Sequence, residues 1–143
     1  MSHLAELDDL VARKRIEVAR KREEWPVSKL MQRVRSRPPP LALTPVLAEP
    51  GIAVIAEIKN RSFRGDNYAS AADPGRVARV FAANGAAAIA VLADALRFGG
   101  SSELVEEVVA GAGRAVPVIY RISSSVHIRS LRHARSALIA CWR

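Results

Sequence analysis

Three short apolar runs, at residues 53–58, 86–92 and 116–120, separated by stretches of helical periodicity, constrain the fold more than any other feature of this chain. Runs of that length, bounded by glycine or proline and lacking polar alternation, read as strands of a parallel sheet covered on both faces. The third run begins Val116-Pro117, placing the proline where a missing ladder donor costs least. After the first run, Asp73 reads as a helix cap with Pro74 at the first helical position. Val77, Val80, Phe81 and Asn84 would form that helix's inner face, and Gly85 suits its left-handed end. After the second run, residues 93–100 read as a loop. Ser101 or Ser102 then caps a helix carrying Leu104, Val105, Val108 and Val109, ended by Gly111 and Gly113. Strand, helix, strand, helix, strand at about 30 residues per unit describes a right-handed parallel array.

The first strand ends in charge. Glu57 and Lys59 are two residues apart and so point to the same side. At the C-terminal mouth of a closed α/β barrel such groups meet ligand without a full burial penalty, whereas on an ordinary strand end they simply reach water. An open doubly wound sheet would favour a glycine-rich turn directly after the first strand, and residues 59–65 hold one glycine. The strand-end charges and long loops favour the barrel.

Ahead of the sheet, Leu4, Leu7, Leu10, Val11 and Val18 make the apolar stripe of an amphipathic helix over residues 4–24. Trp25-Pro26 interrupts it, residues 27–34 form a second short helix, Arg37-Pro38-Pro39-Pro40 is a stiff connector, and residues 44–49 read as one more helical turn. Half of the 143 residues are apolar, enough for one globular domain with a core. No apolar run approaches the ~20 residues of a membrane span, and the N-terminus lacks the order of a signal peptide, so the expected location is the cytoplasm. The single cysteine, Cys141, excludes an internal disulfide and makes no metal-site spacing with His3, His127 or His133. A net charge of +8 raises nucleic acid as a partner, but residues 122–143 alone hold four arginines and no acid. Arg13-Lys14-Arg15 and the charges at 20–24 lie among acids on a helical pattern, as on a solvated face, and aromatics for base stacking are few.

The ordered motifs Val54-Ile55-Ala56-Glu57-Ile58-Lys59, Ser62 and Gly65, Asp73-Pro74, Ala88-Ile89-Ala90-Val91-Leu92, Phe98-Gly99-Gly100-Ser101 and Pro117-Val118-Ile119 resemble those of the indole-3-glycerol phosphate synthase family. The resemblance runs back to Leu10-Val11-Ala12-Arg13-Lys14 and covers about residues 4–121. It implies an α/β fold, a (β/α)8 TIM barrel with an extra N-terminal helical segment, of which this chain carries the first three strands. It implies ring closure of carboxyphenylamino-deoxyribulose phosphate in tryptophan synthesis, with loss of carbon dioxide and water, and neither metal nor organic cofactor. Glu57 and Lys59 would be the active-site charges, Lys59 meeting anionic or oxygen groups and Glu57 orienting the substrate. Ser62 would lie near the substrate and Phe98 would line the pocket for its aromatic ring. The partner implied is a small phosphorylated aromatic molecule, not nucleic acid or membrane, with self-association through an open sheet edge as a further expectation.

Departures from the family pattern are informative. Its serine-proline-serine after the first strand is here Ser62-Phe63-Arg64, and its threonine-aspartate-glutamate after the second is Ala93-Asp94-Ala95. The third strand should end in lysine-aspartate-phenylalanine, the lysine being the family's general acid, and here reads Arg121-Ile122-Ser123. A guanidinium keeps the charge but holds its proton too firmly to act as an acid. The chain is also short of the about 250 residues of such a barrel. It divides into a helical extension at 1–50, the beginning of a barrel at 51–121 and an aberrant basic tail at 122–143. The expected product is a truncated, inactive synthase-like lyase. The alternatives are a non-catalytic remnant that pairs its edge with another chain, and a basic nucleic-acid-binding module.

The tail's composition breaks in mid-unit, which suggests a change of reading frame. Arg121 to Ser125 can be encoded AGG ATT TCA TCG TC plus any base, and GAT TTC ATC GTC inside that string spells Asp-Phe-Ile-Val. A lysine codon that has lost one base supplies the leading AG. The same frame permits Pro-Tyr, Ile, Glu-Ala-Arg and Ala-Leu-Gly-Ala-Asp in family order further down. Sequencing the gene around codon 121 should therefore show that one restored base yields lysine-aspartate-phenylalanine and opens roughly 100 further residues, as a full barrel requires. A stop codon within a few residues of the shifted frame would refute it.

Overall fold

The computed structural model describes residues 3–36, 38–62, 67, 73–122 and 138–140, with 3–7 and 138–140 as backbone elements only. Gly65 of the family motif, most of the tail, and His127, His133 and Cys141 lie outside the described residues. In chain order the elements are α1 (His3–Glu24), α2 (Val27–Ser36), α3 (Thr44–Ala48), β1 (Ile55–Ile58), α4 (Pro74–Ala83), β2 (Ala88–Leu92), α5 (Ala95–Phe98), α6 (Ser102–Ala112), β3 (Val118–Arg121) and β4 (Leu138–Ala140). The sheet order is β1-β2-β3-β4 and every pairing is parallel. With its N-terminal helices, this is the opening part of a (β/α)8 barrel, an open parallel sheet. Among the described residues, no helix is long and apolar enough to cross a membrane.

The three expected strands form where the apolar runs lie. β4 is an addition: it falls in the segment read as an aberrant tail and sets Leu138 opposite Ile119 and Ala140 opposite Arg121. The sheet separates two apolar clusters. Ile58, Val91 and Tyr120 occupy one register row and pack with Val105 and Val108 of α6 and Ala78 of α4. Ala88, Ala90 and Ile119 belong to the opposite face, where Leu43 packs against them. β2 is buried along its whole length, as a strand with neighbours on both sides should be.

β1 differs from the expected fully covered strand. Val54 is 57% exposed and Ile55 43%. Among the described residues β1 pairs only with β2, so one edge and part of one face lack the cover that a central parallel strand receives.

Local signals set most helix ends. The Asp73 carboxylate accepts from the amides of Gly75 and Arg76 at 2.9 and 3.1 Å, and Pro74 follows it. Gly85, with φ of 84°, lets the chain leave α4. Of the two candidate serines, Ser101 is the cap, its hydroxyl accepting from Leu104 N at 3.1 Å. Residues 93–100 are not simply a loop: Asp94 caps the short helix α5, accepting from Arg97 N at 3.2 Å, and Gly99 closes it with φ of 63°.

The inner face of α4 is rotated from the expected one. Val80 is 51% exposed and Asn84 also faces solvent, while Gly75 and Ala78 are buried and Val77 and Phe81 are packed at the margin. The reason is the contact with α6. A Cβ on Gly111 would stand 2.0 Å from Gly75 O, and one on Gly75 would stand 3.0 Å from Glu107 O. The helices touch backbone to backbone, so the smallest residues mark the interface. Gly111 therefore does not end α6, which runs on to Ala112 and stops at Gly113, where φ is 62°.

Gly111→Ala should consequently destabilise the chain by about 2 kcal/mol, since overpacking against backbone outweighs the gain of up to about 1 kcal/mol in helix propensity. Urea unfolding of the variant checks this. An unchanged or raised midpoint would show that the helices can separate freely.

Candidate active site at the strand ends

Parallel strands bring their C-terminal ends to one rim. There Glu57, Lys59 and Arg121 stand on the face of the sheet turned away from α4 and α6. Glu57 shares its register row with Ala90 and Ile119, and Arg121 lies two residues beyond Ile119 on the same side. β2 runs between β1 and β3, so a contact from Glu57 to Arg121 must cross two strand spacings, about 10 Å. Between them on the same face of β2 lie Ala90, in the row of Glu57, and Leu92, in the row of Arg121.

The carboxylate of Glu57 is shared. Its Oε1 lies 3.2 Å from Lys59 Nζ and its Oε2 accepts a hydrogen bond from Arg121 Nη1 at 2.5 Å. All three side chains remain about a third exposed. Two cations and one anion leave the cluster with net positive charge, suited to an anionic or oxygen-rich ligand. Of the residues expected from sequence, Glu57, Lys59 and Arg121 are thus brought into direct contact. Ser62 is buried on the segment that follows Lys59. Phe98 is the last residue of α5 and half-buried. Its neighbour Gly99 accepts through its carbonyl from Asn60 Nδ2 at 3.1 Å, tying the segment after β1 to the segment after β2. Phe63 and Arg64 lie outside the described residues.

Sequence reasoning misassigned one group. Lys14 was expected on a solvated face with Arg13 and Arg15. Arg13 is indeed exposed, pairing with Asp9 at 2.8 Å. Lys14 instead points inward, its side chain 3% exposed, and its Nζ lies 2.7 Å from Glu17 Oε2 and 3.0 Å from Asp94 Oδ1. Glu17 also pairs with Lys21 at 2.9 Å. The available signal was position: Lys14 stands four residues after Leu10 and four before Val18, in line with the apolar stripe. Asp94, itself buried, is part of the loop triplet that departs from the family pattern.

The sequence model of one protein family, indole-3-glycerol phosphate synthase, matches residues 7–134. The match continues past Arg121 into the basic tail. The indole-3-glycerol phosphate synthase of Mycolicibacterium smegmatis is 34% identical over 119 residues, 83% of this chain and 43% of that protein. The synthase of Mycobacterium avium is 35% identical over the same shares. That of a Nocardioides species is 40% identical over 95 residues, 66% of this chain and 36% of that protein. The chain spans less than half the length of the curated relatives it matches.

Because the rim ion pairs are partly solvated, they contribute little to folding. Glu57→Gln should shift stability by no more than about 1 kcal/mol in urea unfolding. A loss of several kcal/mol would mean that the cluster serves the fold itself.

Proposed function

The chain belongs to the indole-3-glycerol phosphate synthase family, and from that premise we propose that its strand-end cluster forms part of the site at which carboxyphenylamino-deoxyribulose phosphate closes its ring. The observation that carries this reading is the ion-paired group of Glu57, Lys59 and Arg121 on one rim, at the C-terminal ends where barrels of this kind bind ligand.

The chemistry has three demands. A ketone oxygen must be polarised and receive a proton, the carboxylate must be held while the ring carbon that bears it attacks the ketone carbon and then sheds it as carbon dioxide to restore the aromatic ring, and the hydroxyl so formed must leave as water. Lys59 supplies a compact cation with three donors, suited to an oxygen that gains negative charge. Glu57 holds that ammonium from one oxygen, limiting its orientations, and faces the substrate beside it. Ser62 offers a hydroxyl near the bound molecule. Phe98, held at the end of α5 by the bond between Asn60 and Gly99, offers an apolar surface to the aromatic ring. These assignments need no metal or organic cofactor. The substrate is a small phosphorylated aromatic compound of the cytoplasm, and the basic tail needs no nucleic acid to explain it.

Arg121 limits what the chain can do. It occupies the place of the family's general-acid lysine and binds Glu57, but a guanidinium does not release its proton near neutral pH. With the reading frame restored ahead of this codon, a lysine would stand over the same carboxylate and beside Lys59, where like charge favours loss of a proton. The exposed Val54 and Ile55 at the edge of β1 support a second reading, in which this chain is a non-catalytic remnant that pairs with another copy through that edge.

The purified 143-residue chain should show no measurable ring closure by absorbance or fluorescence of the indole product, because each missing acid or charge-stabilising group is worth about 3–4 kcal/mol of barrier. Turnover above background would overturn the assignment of Arg121 as a disabling residue.

A further inference from the structure

We propose that Lys14, on a helix remote in sequence from the sheet, is a positioning residue that fixes α5 and through it the Phe98–Gly99 end of the rim. The inference rests on reading that rim as the substrate site. It starts from an ion pair that stability alone does not explain. Lys14 and Asp94 are both almost fully withdrawn from water. For such a pair the cost of desolvation commonly matches or exceeds the attraction recovered, and apolar residues of similar volume would hold α1 to the sheet as well or better.

The geometry shows what the pair does hold. Asp94 Oδ1 faces Lys14 Nζ at 3.0 Å and also accepts from Arg97 N at 3.2 Å. The backbone carbonyl of Asp94 accepts from Phe98 N at 2.9 Å and from Gly100 N at 3.2 Å. One residue therefore organises the whole of α5, a helix of four residues that is too short to persist unaided. At its far end Gly99 O receives the Asn60 side chain, next to Lys59. Gly100 is pressed against β2, where a Cβ would stand 2.3 Å from Leu92 O. The path from α1 to the rim is continuous: Lys14, Asp94, the α5 backbone, Gly99, Asn60. Glu17 and Lys21 extend it along α1, since Glu17 pairs with both lysines. Movement of α1 would release Asp94 and so change where Phe98 stands relative to Lys59.

Backbone amide hydrogen exchange by NMR on the 143-residue chain tests this without substrate, so an inactive chain does not affect the outcome. Lys14→Met and Asp94→Asn should each speed exchange at Arg97, Phe98 and Gly100 at least about ten-fold, with Leu104 and Gly75, on their own caps, changed less than about two-fold. The Asn60 side-chain amide resonances should move in both variants. The double variant should show no more acceleration than either single one, because one interaction is being removed twice. Unchanged α5 exchange, multiplying effects, or equal loosening at Leu104 and Gly75 would overturn the proposal. If Lys14→Met does not fold, Asp94→Asn, which keeps an oxygen for the cap, decides on the same readouts. Failure of that variant to fold would also overturn it, since the pair would then serve the fold and not the rim.

Discussion

Everything at the candidate site depends on strands that run in one direction. Parallel pairing sends each connection back over a helix and leaves all the C-terminal ends on one rim, so residues far apart in sequence arrive side by side. Glu57 and Arg121 are 64 positions apart yet meet. On β2 between them, Ala90 shares the row of Glu57 and Leu92 the row of Arg121. On the opposite face size decides, with Gly75 and Gly111 allowing α4 and α6 to approach until their backbones touch.

How much of this was legible follows from which forces act locally. Caps and turn residues act within a few positions, so Asp73-Pro74, Ser101 and the positive φ of Gly85 could be read directly, as could the three apolar strands and the charges at their ends. The inner face of α4 could not. Hydropathy pointed to Val80, but the contact with α6 selects for closeness, and Gly75 and Ala78 carry it although they rank low on any apolar scale. Gly111 read as a terminator for the same reason: a glycine needed for a neighbour's backbone looks, in one dimension, like a glycine needed for a turn. Lys14 is the mirror case. Its charge suggested solvent while its phase on α1 suggested the core, and the phase was the better guide because acidic partners wait inside.

The two groups of charges differ in what water leaves them. Around Glu57 the side chains are a third exposed, so their mutual attraction is screened, their ion pairs are cheap to break, and an incoming ligand can replace them. Around Asp94 water is excluded and exchange of partners is costly. On the proposed reading, the first property suits groups that meet a substrate and the second suits groups that hold the rim still. The sequence places them one segment apart, with α5 as the joint.

That division also explains why arginine at position 121 is more than a like-for-like change. A guanidinium presents several donors in a fixed plane, and here it engages the carboxylate of Glu57 from across β2. Glu57 then divides itself between a permanently charged arginine and Lys59, and less of its charge is left to orient Lys59. An ammonium at the same place would have one point of charge, a weaker hold on the carboxylate, and a proton it can release, which a guanidinium cannot. On the proposed reading of the rim, arginine here removes the acid and also engages the carboxylate that would steer Lys59. Lys59 and Arg121 engage opposite oxygens of one carboxylate, Oε1 and Oε2, so on the proposed reading replacing Glu57 alone would loosen Lys59 without supplying a proton, and a lysine at position 121 answers both.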